Sequence, residues 1–146
     1  MEFQSDPDTI RWKIHFQSPR DKVFEALATN SGRARFWAES APEKDGVVTF
    51  HFLNHPPISG RILASEPPTR FTVEYFDAVV DFRLADDGAG GTDLTLVSKG
   101  DAPEQRTEII AGWVSVLMTM KAAVDFDVDL RNHDPSRTWS QGYADN

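Results

Sequence analysis

The chain opens, after a short polar start, on a strict alternation: Ile10, Trp12, Ile14 and Phe16 are separated by Arg11, Lys13 and His15. A period of two predicts a strand with one face in the core and one in water. Ser18 followed by Pro19 forms an N-cap and first-turn pair, and Val23, Phe24 and Leu27 then recur at helical spacing, so a short helix runs to about Thr29. Asn30 or Ser31 is placed to cap a second brief helical turn, with Arg33 and Arg35 outward and Phe36 and Trp37 inward. A loop over 38–45 follows, and alternation resumes after Gly46 with Val48, Phe50 and Phe52. Further strands are expected at 60–65, at 70–76 with Phe71, Val73 and Tyr75 inward, at 79–85 with Val80, Phe82 and Leu84 inward, and at 92–99 with Leu94 and Leu96 inward. The glycine-rich run 86–91 reads as a hairpin loop.

The last large element is a helix over 104–126. Asp101 is positioned as its cap, with Pro103 in the first turn and Glu104 near a capping-box position. At 3.6 residues per turn Ile109, Trp113, Val116, Leu117, Met120 and Val124 share one face, with Ile110 at its edge. Such a rod is roughly 30 Å long and must lie against something wide. The pattern therefore predicts an α+β fold: a curved six-stranded antiparallel sheet wrapped on a long C-terminal helix, with two short helices after the first strand. One domain over 1–146 is expected, its core at 9–126. Small residues (Gly112, Ser115, Thr119, Ala122, Ala123) stand beside the apolar face where a solvated helix carries charge, which calls for a proteinaceous cover. The aromatic tail 131–146, with Trp139 and Tyr143, is the expected cover, and a homodimer is the alternative.

Composition narrows the function classes. The net charge of −8 without a Lys/Arg cluster argues against nucleic acid and anionic membrane partners, and the absence of cysteine removes disulfides and thiolate chemistry. No signal-like start and no uninterrupted apolar run of bilayer length are seen, so a cytoplasmic location is expected. Asp125, Asp127 and Asp129 alternate like the start of a calcium loop, but Leu130 replaces the required glycine and Ser136 the final glutamate. His15, His51, His55 and His133 do not share metal-ligand spacing, and neither a phosphate-binding glycine loop nor a nucleophile elbow is present; no metal and no cofactor is expected. Strand parity puts Glu74, Asp81 and Arg83 on the face away from the helix, leaving Tyr75 as the main inward polar group.

The order and spacing of several marks resemble the START-like (SRPBCC, helix-grip) superfamily. Within it, they resemble the group similar to the C-terminal domain of heat-shock-protein ATPase activators. The marks are Ser18-Pro19 with Val23 and Phe24, Trp37 after the second helix, Gly60 ahead of Glu66-Pro67-Pro68, Gly91-Thr92 before Leu94, and Trp113 on the last helix. The resemblance implies a sheet gripping a helix around an apolar cavity that takes lipids, polyketide-like molecules or other small hydrophobic compounds. On that geometry the expected ligand-binding residues are Trp37, Phe50, Phe52, Val73, Tyr75, Phe82, Leu94, Trp113, Leu117 and Met120. The leading expectation is non-catalytic binding of a small hydrophobic molecule. The alternatives are a cyclase or dehydratase in which Tyr75 polarises a carbonyl, and a module that contacts a chaperone through its acidic face.

Overall fold

A computed structural model describes residues 2–146. Its seven strands are β1 (Thr9–Phe16), β2 (Glu43–Lys44), β3 (Val47–Phe50), β4 (Ile58–Glu66), β5 (Arg70–Tyr75), β6 (Ala78–Asp86) and β7 (Thr92–Lys99). They form one antiparallel sheet in the order β1-β7-β6-β5-β4-β3-β2, which stays open because β1 and β2 do not meet. Seven strands stand where six were expected. The additional β2 is a two-residue piece whose side chains are both exposed, so it leaves no hydrophobic alternation to read. It returns to β3 through Asp45 and Gly46, both at positive φ.

The first strand pairs with the last at one edge of the sheet, with Trp12 opposite Leu96 and Ile14 opposite Leu94. Gly60 in β4 is dictated by the neighbouring strand, since a Cβ there would sit 1.7 Å from the Glu74 carbonyl oxygen. Only glycine allows so close a backbone approach.

Helix α1 (Arg20–Ala28) buries Val23, Phe24, Ala26 and Leu27. Ser18 was expected to cap it, but Pro19 occupies the N-cap. The Ser18 hydroxyl instead donates to Asp125 Oδ1 at 2.8 Å, while the Gln17 and Ser18 amides donate to the same carboxylate. In α2 (Asn30–Ala34) the cap is Thr29, whose Oγ1 accepts from the Gly32 amide at 3.0 Å. Arg33, expected to face outward, is fully buried. Its guanidinium donates to the Ala41 and Leu27 carbonyls and to Asn30 Oδ1 at 2.8–3.0 Å. Burial is tolerable because these partners satisfy its fork of donors, and the arginine holds the turn after α1 to the following loop.

Helix α3 (Arg106–Phe126) follows a 3-10 turn at Pro103–Gln105, with no side-chain cap on either. Asp101, the expected cap, accepts instead from the Ser98 hydroxyl at 2.6 Å. The tight turn itself supplies a carbonyl to the first orphan amides, with Gln105 N–H bonding Ala102 O. At the other end Asp127 takes a left-handed conformation, and amides 127 and 128 reach back to Ala123 and Ala122. By length and composition alone the span Pro103–Phe126, mean hydropathy 1.5, could cross a membrane, although no unbroken apolar run marks it. In this fold it is the core helix: Trp113, Leu117, Met120, Ala123 and Val124 are buried against the rest of the domain.

The buried arginine gives the first test. Arg33→Met keeps the volume but strands two buried carbonyls, and is expected to cost roughly 2–4 kcal/mol. Urea denaturation checks this; a midpoint equal to wild type would show that the three hydrogen bonds contribute nothing net.

Candidate ligand-binding site

The site is built around Trp37. After α2 the chain makes one more turn, with Trp37 N–H bonding Arg33 O at 2.9 Å, and this drives the indole under α3. There it meets Phe50 (centroid distance 4.9 Å), Tyr75 (5.4 Å), Phe82 (5.5 Å), Phe36 (5.9 Å) and Trp113 (6.1 Å). Most of these ring pairs are tilted or edge-on, the arrangement aromatic quadrupoles favour. The cluster separates the two halves of α3. Toward its C-terminus Leu117, Met120 and Val124 are buried in the core, whereas Ile109, Gly112 and Val116 border a cavity of about 760 Å³. Its other walls come from the β3–β4 loop, the β5–β6 turn, Val80, the segment after β7 and part of 131–146.

Of the residues expected to bind ligand, Trp37, Phe52, Tyr75 and Trp113 line this cavity. Phe50, Val73, Phe82, Leu94, Leu117 and Met120 do not; each is at most 3 % exposed and belongs to the packed core. Strand parity identifies the face a side chain takes, but not where along the sheet the helix stops touching it. Phe52 reaches the wall from beyond the end of β3 rather than from within a strand. Sequence reading missed Phe36, Phe76 and the stretch 137–140. Phe76 had a detectable signal, since it and Asp77 make the two-residue turn between β5 and β6 with φ of 47° and 66°. Such turns favour asparagine and glycine, and a bulky ring there is a strained choice. The strain places Phe76 at the cavity mouth, stacked on Phe52 at 5.9 Å and beside His55 at 5.3 Å.

Two inner-wall groups, the Trp37 indole N–H and the Tyr75 hydroxyl, make no hydrogen bond among the described residues. The Trp37 indole N–H is buried without a hydrogen bond. Burial pushes the Tyr75 phenol far above its ordinary pKa. The nearby Trp37 N–H acts in the opposite direction without offsetting burial, and the two do not reach hydrogen-bonding geometry. Tyr75 is therefore a protonated donor at any working pH, not a base. Among the described residues no set of three metal-ligating side chains converges. The three aspartates of the calcium-like pattern have separate duties: Asp125 holds the β1–α1 junction, Asp127 pairs with Arg35 at 2.6 Å, and Asp129 pairs with Arg131 at 3.0 Å.

The family profile described as Activator of Hsp90 ATPase homolog 1-like protein matches residues 17–125. The chain belongs to this family. Its fold is shared by the Aha1 dimer of Colwellia psychrerythraea, at 14 % identity and TM-score 0.72 over 81 % of this chain and 96 % of that one. CalU16 of Micromonospora echinospora matches at 24 % identity and TM-score 0.67, covering 83 % and 76 %. DynU16, from the dynemicin biosynthetic locus, matches at 20 % identity and TM-score 0.71, covering 84 % and 49 %. No curated protein gives a significant match. The fold these proteins share sets a long C-terminal helix against an antiparallel sheet.

In this Aha1-like chain, residues beyond the matched segment complete the cavity wall. Trp139 Nε1 donates to Glu108 Oε1 at 2.9 Å, Ser115 Oγ donates to Ala144 O at 2.7 Å, and Asn54 Nδ2 donates to Pro135 O at 2.9 Å. Arg131 donates to the Ala38 and Ala34 carbonyls. His133 bridges Glu39 and Asp129, both at 2.7 Å. The hydrogen bonds to Asp129 and then Glu39 raise the His133 pKa. Burial alone would raise Asp129, but Arg131 and His133 outweigh it and hold the carboxyl well below its usual range.

The sign of the linkage follows from the raised imidazole. Its contribution is fully present below the unfolded value of about 6.5 and is lost as pH rises through the higher folded value. The melting temperature of wild type minus that of His133→Gln should therefore be largest below about pH 6.5 and shrink at higher pH. A difference that does not change with pH would show that the bridge is not charged in the folded protein.

Proposed function

We propose that this protein binds a small hydrophobic molecule in the cavity between the sheet and the N-terminal half of α3. The observation that carries the reading is the cavity itself: about 760 Å³ bordered by Trp37, Phe52, Tyr75, Trp113, Ile109 and Val116. That size lies within the range of small-molecule pockets, whose walls are mostly apolar with a few placed polar groups. A second feature supports it. Gly112 sits in the middle of α3 facing the cavity, with nothing within 4 Å of the position its Cβ would take. Glycine inside a helix costs about 1 kcal/mol relative to alanine, and here the return is open space rather than a close contact.

Binding is favoured over catalysis because the protonated Tyr75 hydroxyl has no acid or base partner beside it among the described residues. The chaperone-contact alternative draws on the family name and the acidic surface. Several acidic groups on that surface are already occupied internally, in His15–Asp87, Arg70–Asp81–Arg83 and Arg131–Asp129. The likeness in fold to DynU16, a putative protein in the dynemicin biosynthetic locus, is compatible with this reading.

The test fills the space without disturbing the fold. The neutral fluorophore N-phenyl-1-naphthylamine should bind wild type saturably at one site. Gly112→Leu should remain folded, with a melting temperature equal to wild type or higher, and should lose at least tenfold in affinity. Equal binding by both proteins would place the probe outside this cavity and contradict the proposal.

A further inference from the structure

The polar groups around the cavity divide into exposed rim residues, His55, Asp77, Gln105, Ser140 and Asn146, and groups that are already hydrogen-bonded. Glu108 takes the Trp139 N–H, Thr119 bonds back to Ser115 O, Asn54 holds Pro135 O, and Asp101 takes the Ser98 hydroxyl. The two arginines at the wall are also spent, Arg131 on carbonyls and Asp129, and Arg137 on Asp134. What remains on the inner wall is the pair Trp37 and Tyr75, 5.4 Å apart between ring centroids. Both are donors. The indole N–H is closed to solvent as well as unpartnered, so neither water nor a ligand atom can reach it directly. An unmet buried donor of this kind destabilises the free protein, and a complex that satisfies it recovers part of that cost.

We propose that the ligand carries a neutral carbonyl oxygen at its buried end, which accepts from the Tyr75 hydroxyl, while the Tyr75 oxygen accepts from the Trp37 N–H. The inference rests on the binding function proposed above and assigns the chemical class of the ligand. Its body is apolar and ring-containing, matching walls of Phe36, Phe52, Trp113, Ile109 and Val116. A carbonyl is selected over a protonated amine because, once the Tyr75 oxygen accepts from the indole, its hydroxyl proton needs an acceptor, which an ammonium does not offer. A carboxylate is disfavoured because each wall arginine is already paired and the chain carries a net charge of −8. Tyr75 positions the ligand, and Trp37 acts through it by strengthening the phenol as a donor, since hydrogen bonds in a chain polarise one another.

The test uses two probes of nearly the same shape, 2-acetylnaphthalene and 2-isopropenylnaphthalene, which differ in having C=O or C=CH2. Comparing the ratio of their affinities in wild type and in Tyr75→Phe cancels the difference in hydrophobicity. The ratio should fall roughly 3–10-fold in favour of the hydrocarbon when the hydroxyl is removed. Hydrocarbon binding itself should survive, which shows that Tyr75→Phe retains the cavity. Two spectroscopic readings accompany it. The carbonyl stretch of the bound ketone should move to lower wavenumber in wild type only. The Trp37 indole proton resonance should move downfield with the ketone and not with the hydrocarbon. Binding of both probes with an unchanged ratio would overturn the carbonyl assignment while leaving the apolar site standing. Binding of neither would overturn the binding function as well.

Discussion

Everything distinctive about this fold depends on one packing constraint, the indole of Trp37 placed between sheet and helix. Five aromatic rings crowd it at 4.9–6.1 Å. Rings of that size in tilted contact cannot be compressed, because protein interiors are already packed at crystal-like density. The C-terminal half of α3 descends into the core through Leu117, Met120 and Val124, while the N-terminal half is held off. The gap that results is the cavity. The indole is delivered there by a short chain of causes: Thr29 caps α2, the buried Arg33 fastens that helix to the loop behind it, and one further turn carries Trp37 inward.

A helix held off at one end must be tied at both. Its C-terminal region is tied by Asp125, which accepts from two backbone amides and the Ser18 hydroxyl at the start of α1. Carboxylates at the C-terminal end of a helix oppose its dipole. Here each is compensated locally: Asp125 by those donors, Asp127 by Arg35, and Asp129 by Arg131 and His133. Toward the N-terminus, Trp12 Nε1 donates to Ile110 O at 3.1 Å, and Arg106 reaches the carbonyls of residues 4 and 6. The open end of the cavity is crossed by Trp139 and its neighbours, which lie outside the segment shared with the family. Family members that agree over residues 17–125 can thus differ in what closes the cavity.

Much of this was legible in the residues. Alternation placed six of the seven strands, and the helical period picked out the buried Trp113, Leu117, Met120 and Val124. The misses have specific causes. A two-residue strand with both side chains in water has no period, which hid β2. Arg33 reads as a surface residue, because nothing local shows that three oxygens from 27, 30 and 41 converge on it. Ser18 and Asp101 have the residue type of caps, yet other partners claim both side chains: Asp125 across the fold for Ser18, and Ser98 three residues back for Asp101. At the site, parity could not separate Phe50 and Phe82, which support the wall, from Tyr75, which forms part of it. Phe76 in a hairpin turn and Gly112 in mid-helix were the informative departures from local preference, and such departures mark places where the backbone serves a site.

The central claim is positional: a ligand rests against the N-terminal half of α3 and not in the core beneath its C-terminal half. Nuclear Overhauser contacts between bound N-phenyl-1-naphthylamine and methyl-labelled protein measure this directly. The account predicts contacts to the methyls of Ile109, Val116 and Val80, and none to Leu94, Leu96 or Leu117. Contacts confined to the exposed Val114 and Met118 on the outer side of α3, or reaching the Leu94–Leu117 core, would contradict it.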